Sequence, residues 1–167
     1  MDTQEQVKLE ITLAFKEVKK SSGIHAKAIG WWTKSNYYHV EMTVGDKWVS
    51  SNSDEGGITI KDLLPLNHKW AYVKLEPVYL SNKTWENIQE YIDQQKGKKY
   101  DWNGIVFSQI LPFTLHSNKE WFCSEIVVKL LQLLGVKEVY ELQPHESSPG
   151  DVARAVNANV PYKPIEG

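Results

Sequence analysis

At 167 residues, 41% hydrophobic and 24% charged, the chain is long enough for one domain with its own core, and its composition excludes a disordered or low-complexity protein. A formal charge of −2 supplies no overall attraction to nucleic acid or to an anionic membrane, so no nucleic-acid partner is expected. One cysteine excludes an internal disulfide; the start Met1 to Glu10 is polar and acidic, and no apolar run reaches the roughly 18 residues of a membrane span. The expectation is a single domain over 1–167, cytoplasmic, without signal peptide or integral membrane segment.

From Val7 to Phe15 the odd positions are apolar, a period of two that predicts one half-buried strand, with a helix as the alternative that the Lys and Glu flanks leave open. Lys19 to Gly23 is a polar break, and Ala26 to Trp32 reads either as a short helix or as an extended segment. Tyr37 to Val44 and Lys47 to Ser51 flank Gly45-Asp46, which predicts a β-hairpin. Ser50 to Gly57 follows as a polar loop, with short strands expected at Ile58 to Lys61 and Trp70 to Leu75. Trp85, Ile88 and Ile92 recur at helical spacing behind Ser81 and Thr84 as caps, with Gly97 as the stop. Tyr100 to Leu111 is apolar and aromatic up to Pro112. From Cys123, the residues Ile126, Val127, Leu130, Leu131 and Leu134 predict a buried helix ended by Gly135, and Ser148-Pro149-Gly150-Asp151 predicts the cap of a short last helix.

Cys123 falls where a polar loop meets the first turn of that helix. Unpaired N–H groups and the positive end of the helix dipole favour a thiolate there, which prepares a nucleophile; the competing reading is one more buried apolar residue. A thiolate needs a base. Of His25, His39, His68, His116 and His145, only His39 lies in a predicted strand, which gives it a rigid mounting. Glu41, two residues on, projects from the same face about 6.7 Å along the strand. It reads either as the group that orients the imidazole or as a solvent-facing carboxylate on an edge strand. Ser50, Ser51 and Asn52 fall opposite His39 across the hairpin and are alternative orienting groups. No H-x-x-x-H or C-x-x-C spacing and no phosphate loop occurs, so neither metal nor cofactor is expected.

Taken together, Tyr38-His39-Val40-Glu41-Met42, the Ser50 to Gly57 loop, Gly97-Lys98-Lys99-Tyr100-Asp101-Trp102-Asn103-Gly104 and Trp121-Phe122-Cys123-Ser124-Glu125 resemble the NlpC-type papain-like superfamily. The histidine strand precedes the cysteine helix, which is the circularly permuted order. It is similar to the lecithin retinol acyltransferase branch and closest to phage-encoded members, in which case the host cytoplasm is the expected location. The resemblance covers about Trp31 to Pro149. It implies that Cys123 attacks a carbonyl, that His39 moves the proton, that an acyl-enzyme forms, and that Tyr100 is an oxyanion donor beside the nucleophile. The chain departs from the pattern at the third polar position, where Ser51 stands in place of His or Glu, so that role is open between Glu41 and the Ser51-Asn52 pair.

The expected fold class is α+β and papain-like, an antiparallel sheet carrying His39 packed against the helix that begins at Cys123. The expected activity is a cysteine peptidase or amidase acting on peptide or cell-wall amides. Lipid or thioester acyl transfer is the nearest alternative, with Ile105 to Phe113 either as an acyl pocket or as ordinary core. A third reading, of a different class, is an inactive binding or phage structural module on the same fold.

Overall fold

The apolar alternation at the start of the chain runs through two strands rather than the one expected. In the structure, a computed structural model that describes residues 5–21, 23, 24, 26, 27, 31, 34–52, 57–63, 65–67, 69–98 and 121–157, strand β1 (Gln6–Leu9) stops before Glu10 and β2 (Ile11–Glu17) starts after it. Leu9, Ile11, Leu13 and Phe15 are all buried, so the period of two survives the break while the two strands join different sheets. Glu10 stays exposed at the junction, paired with Lys8 at 3.2 Å and Lys74 at 2.9 Å. The intact alternation is why the sequence did not betray the interruption.

Strands β3 (Tyr37–Val44), β4 (Lys47–Asn52), β5 (Gly57–Asp62) and β6 (Ala71–Lys74) join β2 in a five-stranded antiparallel sheet of order β5-β4-β3-β2-β6. The β3–β4 hairpin pairs Val44 with Lys47 across Gly45-Asp46, and Gly45 has φ +59° while Asp46 does not share the positive φ. That is the pattern of a II′ turn, whose twist matches the strands it joins. A further strand, β7 (Val78–Ser81), has no counterpart in the sequence reading and pairs with β1 in a separate two-stranded sheet.

Helix α1 (Asn82–Gln95) begins as predicted: the Ser81 side chain accepts from the Thr84 N–H at 3.2 Å, and Ile88 and Ile92 are its buried residues. Its exit at Gly97, φ +74°, donates to the Ile58 carbonyl at 2.8 Å and so covers part of the β5 edge. Ile24, Ala26, Lys27 and Trp31 are helical, with Lys27 N–H donating to the Gly23 carbonyl at 3.2 Å.

Helix α2 (Trp121–Leu133) already includes Trp121 and Phe122 and so does not begin at Cys123. It is buried over most of its circumference, with only Lys129 and Leu133 exposed from Cys123 onward. It ends in a Schellman arrangement: Val136 N–H donates to Leu131 O at 2.9 Å and Gly135 N–H to Gln132 O at 3.1 Å, with Gly135 at φ +83°. After a 3₁₀ turn at Lys137–Val139, helix α3 (Pro149–Ala155) opens on a capping box between Ser148 and Asp151. The main core lies between one face of the five-stranded sheet, which gives Leu13, Phe15, Val40, Met42 and Val49, and the residues Ile126, Val127, Leu130 and Leu131 of α2. The chain is therefore of mixed α+β class with antiparallel sheets. Among the described residues no helix is long and apolar enough to cross a membrane.

Candidate active site

Strand β3 sorts its side chains by parity. Val40, Met42 and Val44 enter the main core, which directs His39, Glu41 and Thr43 to the opposite face of the sheet. The antiparallel register sets Lys16 opposite His39, Ala14 opposite Glu41 and Trp48 opposite Thr43, so those residues share that face. Ala14, Trp48 and Tyr72 form a second, smaller apolar cluster there, with Trp70 packed against it.

Within this setting the polar groups are fully matched. His39 Nε2 and Glu41 Oε1 are 2.9 Å apart, and the Trp48 indole N–H donates to Glu41 Oε2. His39 and Glu41 are each 8% exposed and Trp48 5%, which excludes the solvent-facing reading of Glu41. A buried carboxylate with one donor on each oxygen avoids the penalty of an unpaired charge. The Cys123 side chain adjoins His39 and acts electrostatically on its ring. Since Nε2 is engaged by Glu41, Nδ1 is the ring nitrogen left to exchange a proton with the sulfur.

The electrostatics follow from the same contacts. Burial alone pushes the His39 pKa down, but the neighbouring Cys123 sulfur and the Glu41 carboxylate both favour the charged ring and outweigh it, pushing the pKa up to about 10. His39 is thus held as an imidazolium at neutral pH, and an imidazolium is the electrostatic partner that a thiolate requires.

Cys123 itself is held by its helix. It lies on α2 two residues beyond Trp121, and its side chain is fully buried. The next residue, Ser124, is fully buried and its hydroxyl donates to the Ser147 carbonyl at 2.5 Å, fixing the first turn of α2 to the entry of α3. At the other end Gln132 Nε2 donates to the carbonyls of Val139 and Leu142 at 3.0 and 2.8 Å. The histidine strand is braced from the same direction. Gly150 of α3 lies so close to Ser35 that a Cβ on it would stand 2.5 Å from Ser35 Cβ, and Ser35 Oγ accepts from the Tyr37 N–H at 3.0 Å, at the start of β3.

Of the residues singled out in the sequence, the structure brings Cys123, His39 and Glu41 together. Ser51 pairs with Ile58 and shares the face of Val49, opposite to the face of Glu41. The hairpin register, Met42 with Val49 and Thr43 with Trp48, carries Ser50 rather than Ser51 to the face of Glu41, and Ser50 Oγ is engaged with Thr59 Oγ1 at 2.8 Å. Tyr100, His25, His68, His116, the stretch Ile105 to Phe113 and the Asn52 side chain lie outside the described residues. Three members of the site were not foreseen: Trp48, Trp70 and Lys16. Trp70 lies 6.0 Å from the His39 ring and 6.1 Å from Trp48, and Lys16 Nζ sits 4.6 Å from the Trp70 ring centre. Their aromatic and basic character was visible, but only the cross-strand register places them here.

Among the described residues no group of three His, Cys, Asp or Glu side chains is placed to hold a metal ion. Comparison with protein-family models, with curated proteins and with solved structures finds no match in any of the three.

Proposed function

We propose that the protein is a papain-like cysteine hydrolase of the circularly permuted NlpC type, one domain working in the cytoplasm, that cleaves an amide bond through an acyl-enzyme. The observation that supports this most is the unbroken run of side-chain contacts from Cys123 to His39 to Glu41 to Trp48, in which each group is buried and orients the next.

In this mechanism the Cys123 sulfur attacks the substrate carbonyl carbon and forms a C–S bond. The Cys123 backbone N–H faces the developing oxyanion. His39, charged in the resting site, delivers its proton to the leaving nitrogen as the C–N bond breaks. Neutral His39 then takes a proton from water, whose oxygen attacks the acyl carbon and expels the sulfur, and the acid product leaves. Glu41 holds the ring in place and balances its charge throughout, and Trp48 holds Glu41. The same acyl-enzyme transfers its acyl group to an acceptor other than water if the substrate is a lipid ester or thioester.

Incubating the protein with bacterial wall fragments, peptides and acyl lipids, followed by intact mass measurement, tests this. An acyl mass on Cys123 that is absent from His39→Ala supports the proposal and reports the substrate class. A second reading, a binding or particle-structural module on the same fold, is favoured by one observation, the complete burial of Cys123 in the apolar core. It predicts no acyl adduct with any substrate and a retained ligand complex in Cys123→Ala.

A further inference from the structure

Lys16 is the cross-strand partner of His39, so the two side chains leave the same face of the sheet side by side. Trp70 joins them, with its ring 6.0 Å from the His39 ring and 4.6 Å from Lys16 Nζ. Lys16 and Trp70 are only half-buried, in contrast to His39, Glu41 and Trp48 behind them. This row therefore runs from solvent into the candidate active site.

Its charge is unbalanced at the open end. Among the described residues Lys8, Lys47 and Lys74 have carboxylate partners, whereas Lys16 has none and rests on the Trp70 ring. A cation–π contact uses the charge but leaves the ammonium N–H donors without an oxygen acceptor. An anionic group of a bound substrate beside Lys16 takes up the donors that the Trp70 ring leaves to solvent.

Building on the hydrolase reading, we infer that Lys16 and Trp70 form a substrate subsite next to Cys123 that selects acyl substrates bearing a carboxylate. The carboxylate pairs with Lys16, and the adjoining apolar or planar part of the substrate lies on Trp70. The substrate class narrows accordingly to peptides or acyl compounds with an acidic group flanking the scissile carbonyl.

Iodoacetate and iodoacetamide, used on the full chain, test this directly. Each forms a bond from Cys123 sulfur to its methylene carbon and expels iodide, and the two differ in little but charge. The ratio of the iodoacetate rate to the iodoacetamide rate falls about fivefold in Lys16→Met, the scale of a partly screened ion pair. It holds in Lys16→Arg and falls further in Lys16→Glu. Lys16→Gln replaces the methionine variant if that one does not fold. A ratio that is the same in the unmodified protein, Lys16→Met and Lys16→Glu overturns the inference. An equal fall in the arginine and methionine variants also overturns it, by assigning Lys16 a packing role. Failure of the hydrolase reading has a different signature: both reagents then label Cys123 as an ordinary thiol, with rates rising through a pKa near about 8.5, whatever stands at position 16.

Discussion

Replacing Glu41 by Gln changes almost no atoms and yet removes the centre of the polar chain. Glu41 accepts on both oxygens, from His39 on one and from Trp48 on the other. Glutamine offers one carbonyl oxygen and one amide nitrogen that only donates, so one of the two incoming donors faces another donor. A buried donor left without an acceptor costs about 1–3 kcal/mol, and the remaining bond loses the strengthening of a carboxylate charge. Breaking a buried, hydrogen-bonded charge pair costs about 3–5 kcal/mol in all, and we expect about 3 kcal/mol here. For a chain of this length that is a fall of roughly 6–12 °C in Tm. The His39 pKa falls at the same time, because a cause of its rise is gone. Thermal unfolding followed by circular dichroism checks the first effect, and acylation of Cys123 by an activated ester checks the second, with a loss of at least tenfold expected. Glu10→Gln is the control, since that carboxylate is solvent-exposed in its pairs with Lys8 and Lys74 and its loss leaves Tm unmoved. If Glu41→Gln melts and acylates like the unmodified protein, the buried network does not exist as described.

The folded pKa of His39, about 10, lies above its ordinary value of 6.5, so its contacts stabilise fully below about pH 6.5 and that contribution is lost as pH rises through about 10. The stability difference between the unmodified protein and His39→Gln, measured by urea unfolding, therefore shrinks from pH 7 to pH 10.5. Gly150→Ala drives a methyl group into Ser35 and costs about 1–3 kcal/mol by overpacking. Because Ser35 leads into β3, the variant also slows Cys123 acylation, and Ser35→Gly added to it restores both. Ser148→Ala removes the side-chain cap of α3 and costs about 1 kcal/mol in unfolding free energy.

What could be read from the sequence was what depends on neighbours along the chain. The β3–β4 hairpin is marked by Gly45 between alternating runs, α1 by Ser81 and the spacing of Ile88 and Ile92, and α3 by Ser148 with Asp151. His39 and Glu41 are two apart on one strand, so their shared face follows from the strand period alone. What could not be read depends on register between strands. The break at Glu10 leaves the alternation intact, and the face taken by Ser51 is fixed by its pairing with Ile58. The meeting of Lys16, Trp70 and His39 requires β2 to pair with both β3 and β6, which no spacing encodes.

The pH dependence of Cys123 alkylation by iodoacetamide, in the unmodified protein and in His39→Ala, tests the coupling of sulfur to imidazole most directly. The account predicts that the profiles differ, with the unmodified protein alkylated faster than His39→Ala near neutral pH, where His39 is charged. Two superimposable profiles, both with the ordinary thiol midpoint, would contradict it.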